Sequence, residues 1–258
     1  MKIATWNVNS LRVRLPHVEA WLDEQAPDVL ALQETKLVDD KFPAEVLGNH
    51  GYQVLFSGQK TYNGVAIISR TPGEDVVTDL AGIDDPARRV LAATFGKLRL
   101  INLYVPNGQR VDSEKYDYKM RWLEALHGQL EHELARHEHV AVLGDFNIAP
   151  EDRDVHDPAA WEGDVLCSPR ERAALAGLLD LGFTDIFRLF EQPENSFSWW
   201  DYRAAAFRRN NGLRIDLILA SASLAACCTG SEIDVAPRRL ERPSDHTPVL
   251  AEFDLPEN

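Results

Sequence analysis

The stretch HVAVLGDFNIAP, residues 139–150, places an aspartate and an asparagine directly after a run of apolar residues. The run is typical of a buried strand, because turn-forming Gly, Asn and Pro follow it. A carboxylate at the end of such a strand is costly to bury unless it has a partner. Asp145 and Asn147 therefore predict a point on which other polar groups of the chain converge.

Similar apolar runs recur along the whole chain. They are KIATW, DVLALQ, YQVLF, GVAIIS, RVLAATF, LRLINLY, HVAVLG, SFSWW, RIDLILA and VLAEFD. Helices are predicted after Ser10, after Asp112 and from Pro169 to Gly182. Several runs are apolar throughout, so both of their faces need a cover. The pattern predicts an α/β fold in which two sheets pack on each other with helices outside, in one domain of residues 1–258.

The composition is that of a globular protein, since 45% of the 258 residues are hydrophobic and 26% are charged. No apolar run has the length of a membrane span, and the N-terminal segment resembles a first strand rather than a signal peptide. Cys167, Cys227 and Cys228 lack zinc-like spacing, which indicates reduced packing residues. We therefore expect a cytoplasmic protein without a membrane partner. The absence of a spare apolar helix favours a monomer.

The net charge of −14 hides an uneven distribution. Residues 86–111 and 203–214 contain no Asp or Glu. The basic residues of these segments include Arg88, Arg89, Lys97, Arg99, Arg110, Arg208 and Arg209. Either segment alone is most simply a solvated face, but two such segments in an acidic protein predict a localised phosphate-binding face.

Polar residues lie at or beside the ends of several predicted strands. They are Asn7, Asn9, Glu34, Tyr104, Asn107, Asp145, Asn147, Asp216, Asp245 and His246. Each alone has a structural explanation, because Asn and Asp commonly form turns. Together they supply carboxylate and amide oxygens with one histidine, a set that suits Mg²⁺ or Mn²⁺ rather than zinc. Such a cation polarises phosphate oxygens, so the set indicates phosphoester cleavage.

Six motifs follow one another from the first strand to the last: WNVNSLR, LQETK, YVPNG, LGDFNIAP, GLRIDLILAS and PSDHTPV. In this order they resemble the exonuclease III family of abasic-site endonucleases, within the endonuclease/exonuclease/phosphatase superfamily, and SFSWWDYR brings the chain near its bacterial members. The resemblance implies a four-layer, DNase I-like fold of two mixed sheets with outer helices. It also implies a DNA-repair nuclease that cuts 5′ to abasic sites and trims 3′ ends of duplex DNA, as a 3′-exonuclease and 3′-phosphatase.

The resemblance implies a divalent metal, Mg²⁺ or Mn²⁺, held chiefly by Glu34. The implied ligand candidates are Glu34, Asn7, Asp245, Asp145 and Asn147, where Asp245 is either an alternative ligand or a residue that supports the ligands from behind. Asn9 stands where some relatives have an aspartate, which leaves open whether one or two metal ions bind. Lys36 is either an orienting partner of Glu34 or a surface lysine.

The resemblance also implies catalytic roles for five residues. Asp145 would activate the attacking water or stabilise it as hydroxide, and Asn147 would hydrogen-bond the phosphate or the attacking oxygen. Asp216 would orient His246, which contacts the phosphate. Tyr104 would lie on the leaving-group side and supply a proton or a hydrogen bond.

An aromatic segment followed by a basic one, SFSWWDYRAAAFRRNNGLR, favours a nucleic acid as substrate, because aromatic and Arg groups stack on bases. The expected DNA contacts are Asn107, Arg110, Trp199, Trp200, Phe207, Arg208 and Leu213. For Trp199 and Trp200, packing in the core is the alternative interpretation.

Two other functions remain open from the sequence. One is a phosphatase or phosphodiesterase of the same superfamily that acts on inositol phosphates or sphingomyelin. The other is a DNA-binding homologue that no longer cleaves, although each expected metal and base position is filled. The balance among abasic-site, 3′-exonuclease, 3′-phosphatase and RNA-strand activities also stays open.

Overall fold

Within residues 1–255, which the computed structural model of the chain describes, there are twelve strands and six α-helices. The strands are β1 (Lys2–Asn7), β2 (Val29–Gln33), β3 (Gln53–Ser57), β4 (Val65–Ser69), β5 (Glu74–Val77), β6 (Val90–Phe95), β7 (Leu98–Tyr104), β8 (His139–Asp145), β9 (Phe183–Asp185), β10 (Asp216–Ser221), β11 (Cys228–Ile233) and β12 (Val249–Phe253). The helices are α1 (Leu11–Gln25), α2 (Ala44–Gly48), α3 (Glu114–Arg136), α4 (Pro169–Asp180), α5 (Ala206–Arg209) and α6 (Ala222–Ala225). None of these helices is long and apolar enough to cross a membrane.

The strands form two sheets of six strands each. Sheet A has the order β11-β12-β1-β2-β4-β3, and sheet B has the order β5-β6-β7-β8-β10-β9. Each sheet has one parallel pair, β1 with β2 and β7 with β8, and its other pairs are antiparallel. α1 connects the first parallel pair and α3 lies between the strands of the second, as parallel pairing requires a long crossover.

Apolar side chains between the two sheets form the central core. Its members include Ile3, Ala31, Ile67, Leu100, Leu143 and Ile218. The outer face of sheet A packs against α1 through Val18 and Leu22. The outer face of sheet B packs against α3 and α4 through Leu126 and Leu175. The result is four layers, helix, sheet, sheet and helix, so the predicted arrangement is confirmed.

Local structure differs from the sequence prediction at a few places. β5, β9 and β11 were not predicted, because β5 is largely exposed, β9 has three residues and β11 mixes polar with apolar residues. SFSWW does not form a strand; Trp199 makes only isolated bridges, to Leu213 and His246. Ser10 precedes α1 without a side-chain capping bond, whereas Ser113 caps α3 by accepting from the N–H of Tyr116.

The carboxyl ends of both parallel pairs lie at one edge of the molecule. Asp145 is paired with Tyr104 on β7 and with Asp216 on β10, so three polar residues share one register position. The residue before Asp145 must be glycine. Gly144 has a φ of 146°, and a Cβ there would lie 1.9 Å from the carbonyl oxygen of Leu103. The GD pair of the opening motif thus lets β8 approach β7 closely just where the site begins.

Candidate active site

Asn7 joins two carboxylates at this edge. Its side-chain amide donates to Glu34 Oε1 and to Asp145 Oδ2, at 2.9 Å in each case. Its Oδ1 accepts from the backbone N–H of Asn9 at 3.0 Å, which fixes the orientation of the amide. Asn7 ends β1, Glu34 follows β2 and Asp145 ends β8. The ends of strands from both sheets therefore bring the two carboxylates together.

The backbone around this pair is held in an uncommon conformation. Glu34 has a φ of 51°, and the φ values of Asn9, Lys36 and Asn147 are 42°, 54° and 50°. Left-handed backbone costs residues other than glycine about 1 kcal/mol or more each. The carbonyl of Glu34 accepts from the N–H of Ser10 at 2.7 Å, which helps to hold this geometry. Four residues with this backbone conformation therefore lie around the two carboxylates.

Lys36 and Asn9 form a chain of polar contacts behind Glu34. Lys36 Nζ lies 2.9 Å from Glu34 Oε2 and also donates to Asn9 Oδ1. The amide of Asn9 in turn donates to Asp245 Oδ1 at 2.9 Å. Lys36 therefore contacts the carboxylate directly, which is the first of the two roles that the sequence left open.

A histidine between two aspartates forms the second part of the site. His246 Nδ1 lies 2.8 Å from Asp216 Oδ2, and His246 Nε2 lies 3.7 Å from Asp145 Oδ2. Ser198 Oγ accepts from the backbone N–H of Asp216 at 3.0 Å, and Ser244 Oγ accepts from that of His246 at 3.3 Å. Asp216, fixed at the start of β10, orients the imidazole so that its Nε2 faces Asp145.

Burial and neighbouring charges shift the titration of these groups. Burial raises the pKa of Asp145 to about 7; Asp216 and Glu34 add to this shift and His246 opposes it. Burial favours a lower pKa for His246, but the carboxylates of Asp216 and Asp145 outweigh it and raise that pKa to about 10. Burial, together with Glu34 and Asp145, raises the pKa of Tyr104 well above its usual value. At neutral pH the site therefore combines a protonated imidazole, a neutral phenol and a carboxyl group near its midpoint.

Two asparagines lie beside Asp145. The backbone N–H of Asn147 donates to Asp145 Oδ1 at 2.9 Å, and its side-chain amide donates to the carbonyl of Val105 at 3.0 Å. The amide of Asn107 donates to Asn147 Oδ1 at 3.0 Å. Because each amide has a second N–H, both asparagines can also donate to an anion.

The donor set fits a hard divalent cation. Potential ligand atoms of Glu34, Asp145 and His246 all lie within 4.8 Å of one another. The two carboxylates, with no thiolate beside them, match the oxygen ligands that Mg²⁺ and Mn²⁺ prefer. In addition, Asp216 Oδ1 is buried without a hydrogen-bond partner among residues 1–255. The two carboxylates can therefore bind a metal ion, whereas His246, whose pKa is raised to about 10, is a hydrogen-bond donor at neutral pH.

Two predicted metal ligands have other partners. Both oxygens of Asp245 accept hydrogen bonds, from Asn9 Nδ2 at 2.9 Å and from the indole N–H of Trp199 at 3.1 Å. Asn147 Oδ1, the atom that would bind a cation, accepts from Asn107. Direct metal contact by Asp245 or Asn147 stays a prediction. In this structure both side chains orient their neighbours.

The expected DNA-contact residues divide by exposure. Those with exposed or partly exposed side chains are Asn107, Arg110, Trp199, Phe207 and Arg208. Trp200 and Leu213 are only 2% and 0% exposed, so the expectation of DNA contact is wrong for these two. Trp200 packs edge-on against Phe207, with ring centroids 5.1 Å apart, and Leu213 lies in an apolar cluster with Val155. Their apolar surface is used inside the fold.

Only part of the basic segment 86–111 is available to a phosphate backbone. Arg99 is 2% exposed and its Nε lies 3.0 Å from Glu133 Oε2, which removes it from the predicted phosphate-binding face. Arg110, Arg208 and Arg209 are exposed. The predicted phosphate-binding face therefore consists of the exposed basic residues of segments 86–111 and 203–214 only.

Sequence reasoning missed two residues that hold the site. The guanidinium of Arg89 lies 4.7 Å from the ring centroid of Tyr104, and its Nη1 donates to the carbonyl of that residue at 3.2 Å. Lys119 is fully buried beside the loops of Asn107 and Asn147. One signal was present for Lys119, because it lies three residues after Tyr116 on the apolar face of α3, where a lysine is unexpected.

Comparison with known proteins gives a consistent result. Residues 4–246 match the model of the Endonuclease/Exonuclease/phosphatase family. Exodeoxyribonuclease III of Haemophilus influenzae is 37% identical over 266 residues, which cover 98% of this chain and 100% of that protein. The family resemblance of the sequence motifs is thus confirmed.

Two solved structures are similar over nearly the whole chain. The 3′ phosphatase NExo from Neisseria, bound to a product DNA hairpin, is 50% identical with a TM-score of 0.97, and the match covers 99% of this chain and 100% of that chain. An AP endonuclease from Archaeoglobus fulgidus is 42% identical with a TM-score of 0.94, at the same coverage of both chains. The similarity therefore extends through both sheets.

Proposed function

We propose that this chain, a DNA-repair nuclease that belongs to the Endonuclease/Exonuclease/phosphatase family, hydrolyses phosphoester bonds at 3′ ends and 5′ to abasic sites of duplex DNA. The observation that carries the proposal is the convergence of Glu34, Asp145 and His246, whose potential ligand atoms lie within 4.8 Å of one another. We also propose that residues 1–258 act as one catalytic domain.

The three activities share one chemical step. In abasic-site incision, 3′-phosphate removal and release of a 3′ nucleotide, water attacks a phosphorus atom. The bond between that phosphorus and a 3′-oxygen of DNA then breaks. The attacking water loses a proton, and the departing 3′-oxygen gains one. One arrangement of side chains can therefore support all three, and the surroundings of the phosphate set their balance.

The residues of the site divide these tasks. Asp145 is suited to take the proton of the attacking water, because burial raises its pKa to about 7. Tyr104 stays a neutral phenol and can donate to the departing 3′-oxygen. Protonated His246, oriented by Asp216, and the amide of Asn147 can donate to phosphate oxygens as negative charge develops on them.

A divalent cation, Mg²⁺ or Mn²⁺, completes the proposal. When bound chiefly by Glu34, with the Asp145 carboxylate beside it, it would polarise a phosphate oxygen. Asn7 keeps the two carboxylates together, and Lys36 holds the second oxygen of Glu34. These contacts orient the ligands before the cation arrives, which lowers the cost of ordering them.

The relatives support DNA rather than a small phosphoester as substrate. The 3′ phosphatase with a product DNA hairpin is 50% identical to this chain, which favours 3′-phosphate removal as one activity. The AP endonuclease at 42% identity favours abasic-site incision as another. Neither relative favours inositol phosphates or sphingomyelin.

A substrate panel tests the proposal. Purified protein is incubated with abasic duplex, blunt duplex, 3′-phosphate duplex and an inositol phosphate, each with Mg²⁺, with Mn²⁺ or with EDTA. We expect metal-dependent cleavage of the 3′-phosphate and abasic duplexes and no phosphate release from the inositol phosphate. Turnover of the inositol phosphate alone, or no cleavage of any duplex, would contradict the proposal.

We further propose that the protein acts as a monomer in the cytoplasm. The site is complete within one chain, since each strand end that supplies it comes from residues 1–255. Sedimentation at micromolar concentration should give the mass of a single chain. A dimer would overturn this part without touching the catalytic proposal.

A further inference from the structure

Lys119 is a buried cation that the mechanism above leaves without a role. It lies on α3, and neither its side chain nor that of its partner Glu171 has exposed surface. Its Nζ contacts Glu171 Oε1 at 2.5 Å and donates to the carbonyls of Asn147 at 2.7 Å and Asn107 at 3.2 Å. A lysine in such a place is costly to bury, so its contacts must compensate.

The two carbonyls belong to the asparagines that line the site. Asn147 has a φ of 50°, and its backbone N–H donates to Asp145 Oδ1. The side chain of Asn107 donates to Asn147 Oδ1. A donor to both carbonyls therefore fixes both loops at once, and with them the two amides that can reach a phosphate. The backbone of Asn147 also links this bond to the carboxylate of Asp145.

Glu171 balances the charge of Lys119 within the start of α4. It accepts from the backbone N–H groups of Leu166 at 3.0 Å and Ser168 at 3.1 Å, and from the hydroxyl of Ser168. The carboxylate of Glu171 thus has hydrogen-bond donors at the start of α4 in addition to Lys119. Lys119 in turn connects Glu171 to the loops of Asn107 and Asn147.

A second buried pair joins the same helix to β7 and shows what such a pair does without a site beside it. Arg99 Nε lies 3.0 Å from Glu133 Oε2 near the other end of α3, and both side chains are 2% exposed. The remaining contacts of Arg99 are to the carbonyl of Asp75 and the hydroxyl of Thr94, away from the loops of Asn107 and Asn147. The two pairs are therefore both buried and each has one member on α3, but they differ in what their cations hold.

We propose that Lys119 is a positioning residue for the phosphoester cleavage: its ammonium group holds the carbonyls of Asn107 and Asn147 so that their amides meet the phosphate. This inference rests on the proposed function, since it assigns those amides to substrate. Apolar residues can fill the space of a buried ion pair without loss of stability. They cannot donate to two loop carbonyls, which is why a lysine serves here.

The test compares the two pairs in the metal-loaded enzyme. Lys119→Met/Glu171→Gln and its matched control Arg99→Met/Glu133→Gln each remove a buried cation and neutralise its partner. Melting temperature, duplex affinity and single-turnover cleavage of a 3′-phosphate duplex are measured for both and for the wild type. We expect similar changes in melting temperature, but a rate loss of about ten- to a hundredfold only for the Lys119 variant, because misplaced contact groups cost rate.

A Lys119 variant that cleaves at the wild-type rate, or loses no more rate than the control, would overturn the inference. If the double variant does not fold, Glu171→Gln decides, because Lys119 keeps both carbonyl contacts in it. A near-wild-type rate then supports positioning by Lys119, and a rate loss in proportion to lost stability overturns it. If the wild type does not cleave duplex at all, the proposed function fails instead, so the two failures are distinguishable.

Discussion

Two buried charge clusters use neighbouring parts of the chain and balance their charge in different ways. The catalytic cluster consists of Glu34, Asp145, Asp216 and His246. The arginine cluster consists of Asp154, Asp185, Arg188 and Arg214. Arg214 and Asp216 are two residues apart, yet each belongs to a different cluster.

In the arginine cluster opposite charges are paired. Arg214 contacts Asp154 at 2.7 and 3.2 Å and Asp185 at 3.2 and 2.7 Å, in two bidentate pairs. Arg188 also donates to Asp154. Two carboxylates thus face two guanidinium groups in the geometry that favours strong ion pairs.

The catalytic cluster keeps an excess of negative charge. Three carboxylates surround one imidazole, and Lys36 contacts only Glu34 among them. Asp216 Oδ1 has no hydrogen-bond partner among residues 1–255, and burial raises the pKa of Asp145 to about 7. Burial of charge alone therefore does not mark a functional site, because both clusters are buried. What marks it is buried charge that the protein leaves for a cation or a substrate to neutralise.

Removing the cation from the catalytic cluster should give the largest loss of cleavage activity. In excess EDTA we expect no detectable cleavage of duplex DNA. Glu34→Gln removes a ligand charge at constant shape, so we expect its rate to fall by about a hundredfold or more. The melting temperature of the metal-free variant should match that of the metal-free wild type. Full wild-type activity in excess chelator would show that the cluster is not a metal centre.

Breaking the ion pairs of the arginine cluster should instead lower the free energy of unfolding. Arg214→Met leaves buried carboxylates without their main partner, which typically costs about 3 kcal/mol of the unfolding free energy. The cleavage rate per folded molecule should stay near the wild-type rate, because Arg214 contacts none of the catalytic side chains. Denaturant unfolding and single-turnover kinetics measure the two quantities. A variant of normal stability and lost activity would reverse the assignment of the two clusters.

The stabilising effect of the metal should depend on pH. The pKa of Asp145 is raised to about 7, so its contribution to stability in the metal-free protein is complete below the unfolded value near 4 and is lost as pH rises toward 7. A cation competes with that proton. At a hundred times its dissociation constant it adds about 2.7 kcal/mol, and we expect less at acid pH. Melting curves with Mn²⁺ or EDTA near pH 5 and near pH 8 check this; an equal shift at both would contradict it.

The smallest effect is expected from single substitutions of the exposed arginines Arg208 and Arg209, and it should appear in duplex binding. Arg208→Glu and Arg209→Glu, made one at a time, should each weaken duplex binding and lower the slope of log affinity against log salt by about one. Arg153→Glu is the control, because Arg153 is exposed but pairs with Glu151 in an acidic segment. Equal losses from all three substitutions would mean that the binding face lies elsewhere.

Much of the fold could be predicted because apolar periodicity reports burial. The strands that were missed are those whose burial is partial, such as β5, where Glu74 and Asp75 are exposed. The proposed catalytic residues could be picked out because Asp145 and Asp216 interrupt apolar runs, where a charge is costly without a use. Trp200 and Leu213 show the limit, since an apolar residue in a basic segment gives no sign of whether it faces DNA or the core.

The rest of the site depends on tertiary contacts that local patterns do not encode. The left-handed backbone of Glu34 is imposed by neighbouring segments and is not a preference of glutamate. The contact of Lys119 with Asn147 joins residues 28 positions apart. The sequence indicates that Lys119 is out of place on an apolar face, but only the structure shows which carbonyls it holds.

Asp145→Asn separates the two clusters most directly. The substitution keeps the shape of the side chain but removes the proton acceptor and its charge. It should slow single-turnover cleavage of abasic or 3′-phosphate duplex by at least about a hundredfold. Duplex affinity should equal or exceed that of the wild type, because one negative charge beside the phosphate is gone.

The decisive measurement is therefore the single-turnover rate of Asp145→Asn, with its melting temperature and duplex affinity determined on the same preparation. We predict a folded protein that binds duplex DNA and hardly cuts it, the opposite of what is expected for Arg214→Met. A variant that folds, binds and cuts at the wild-type rate would remove Asp145 from the mechanism and contradict the assignment of this cluster as the catalytic centre.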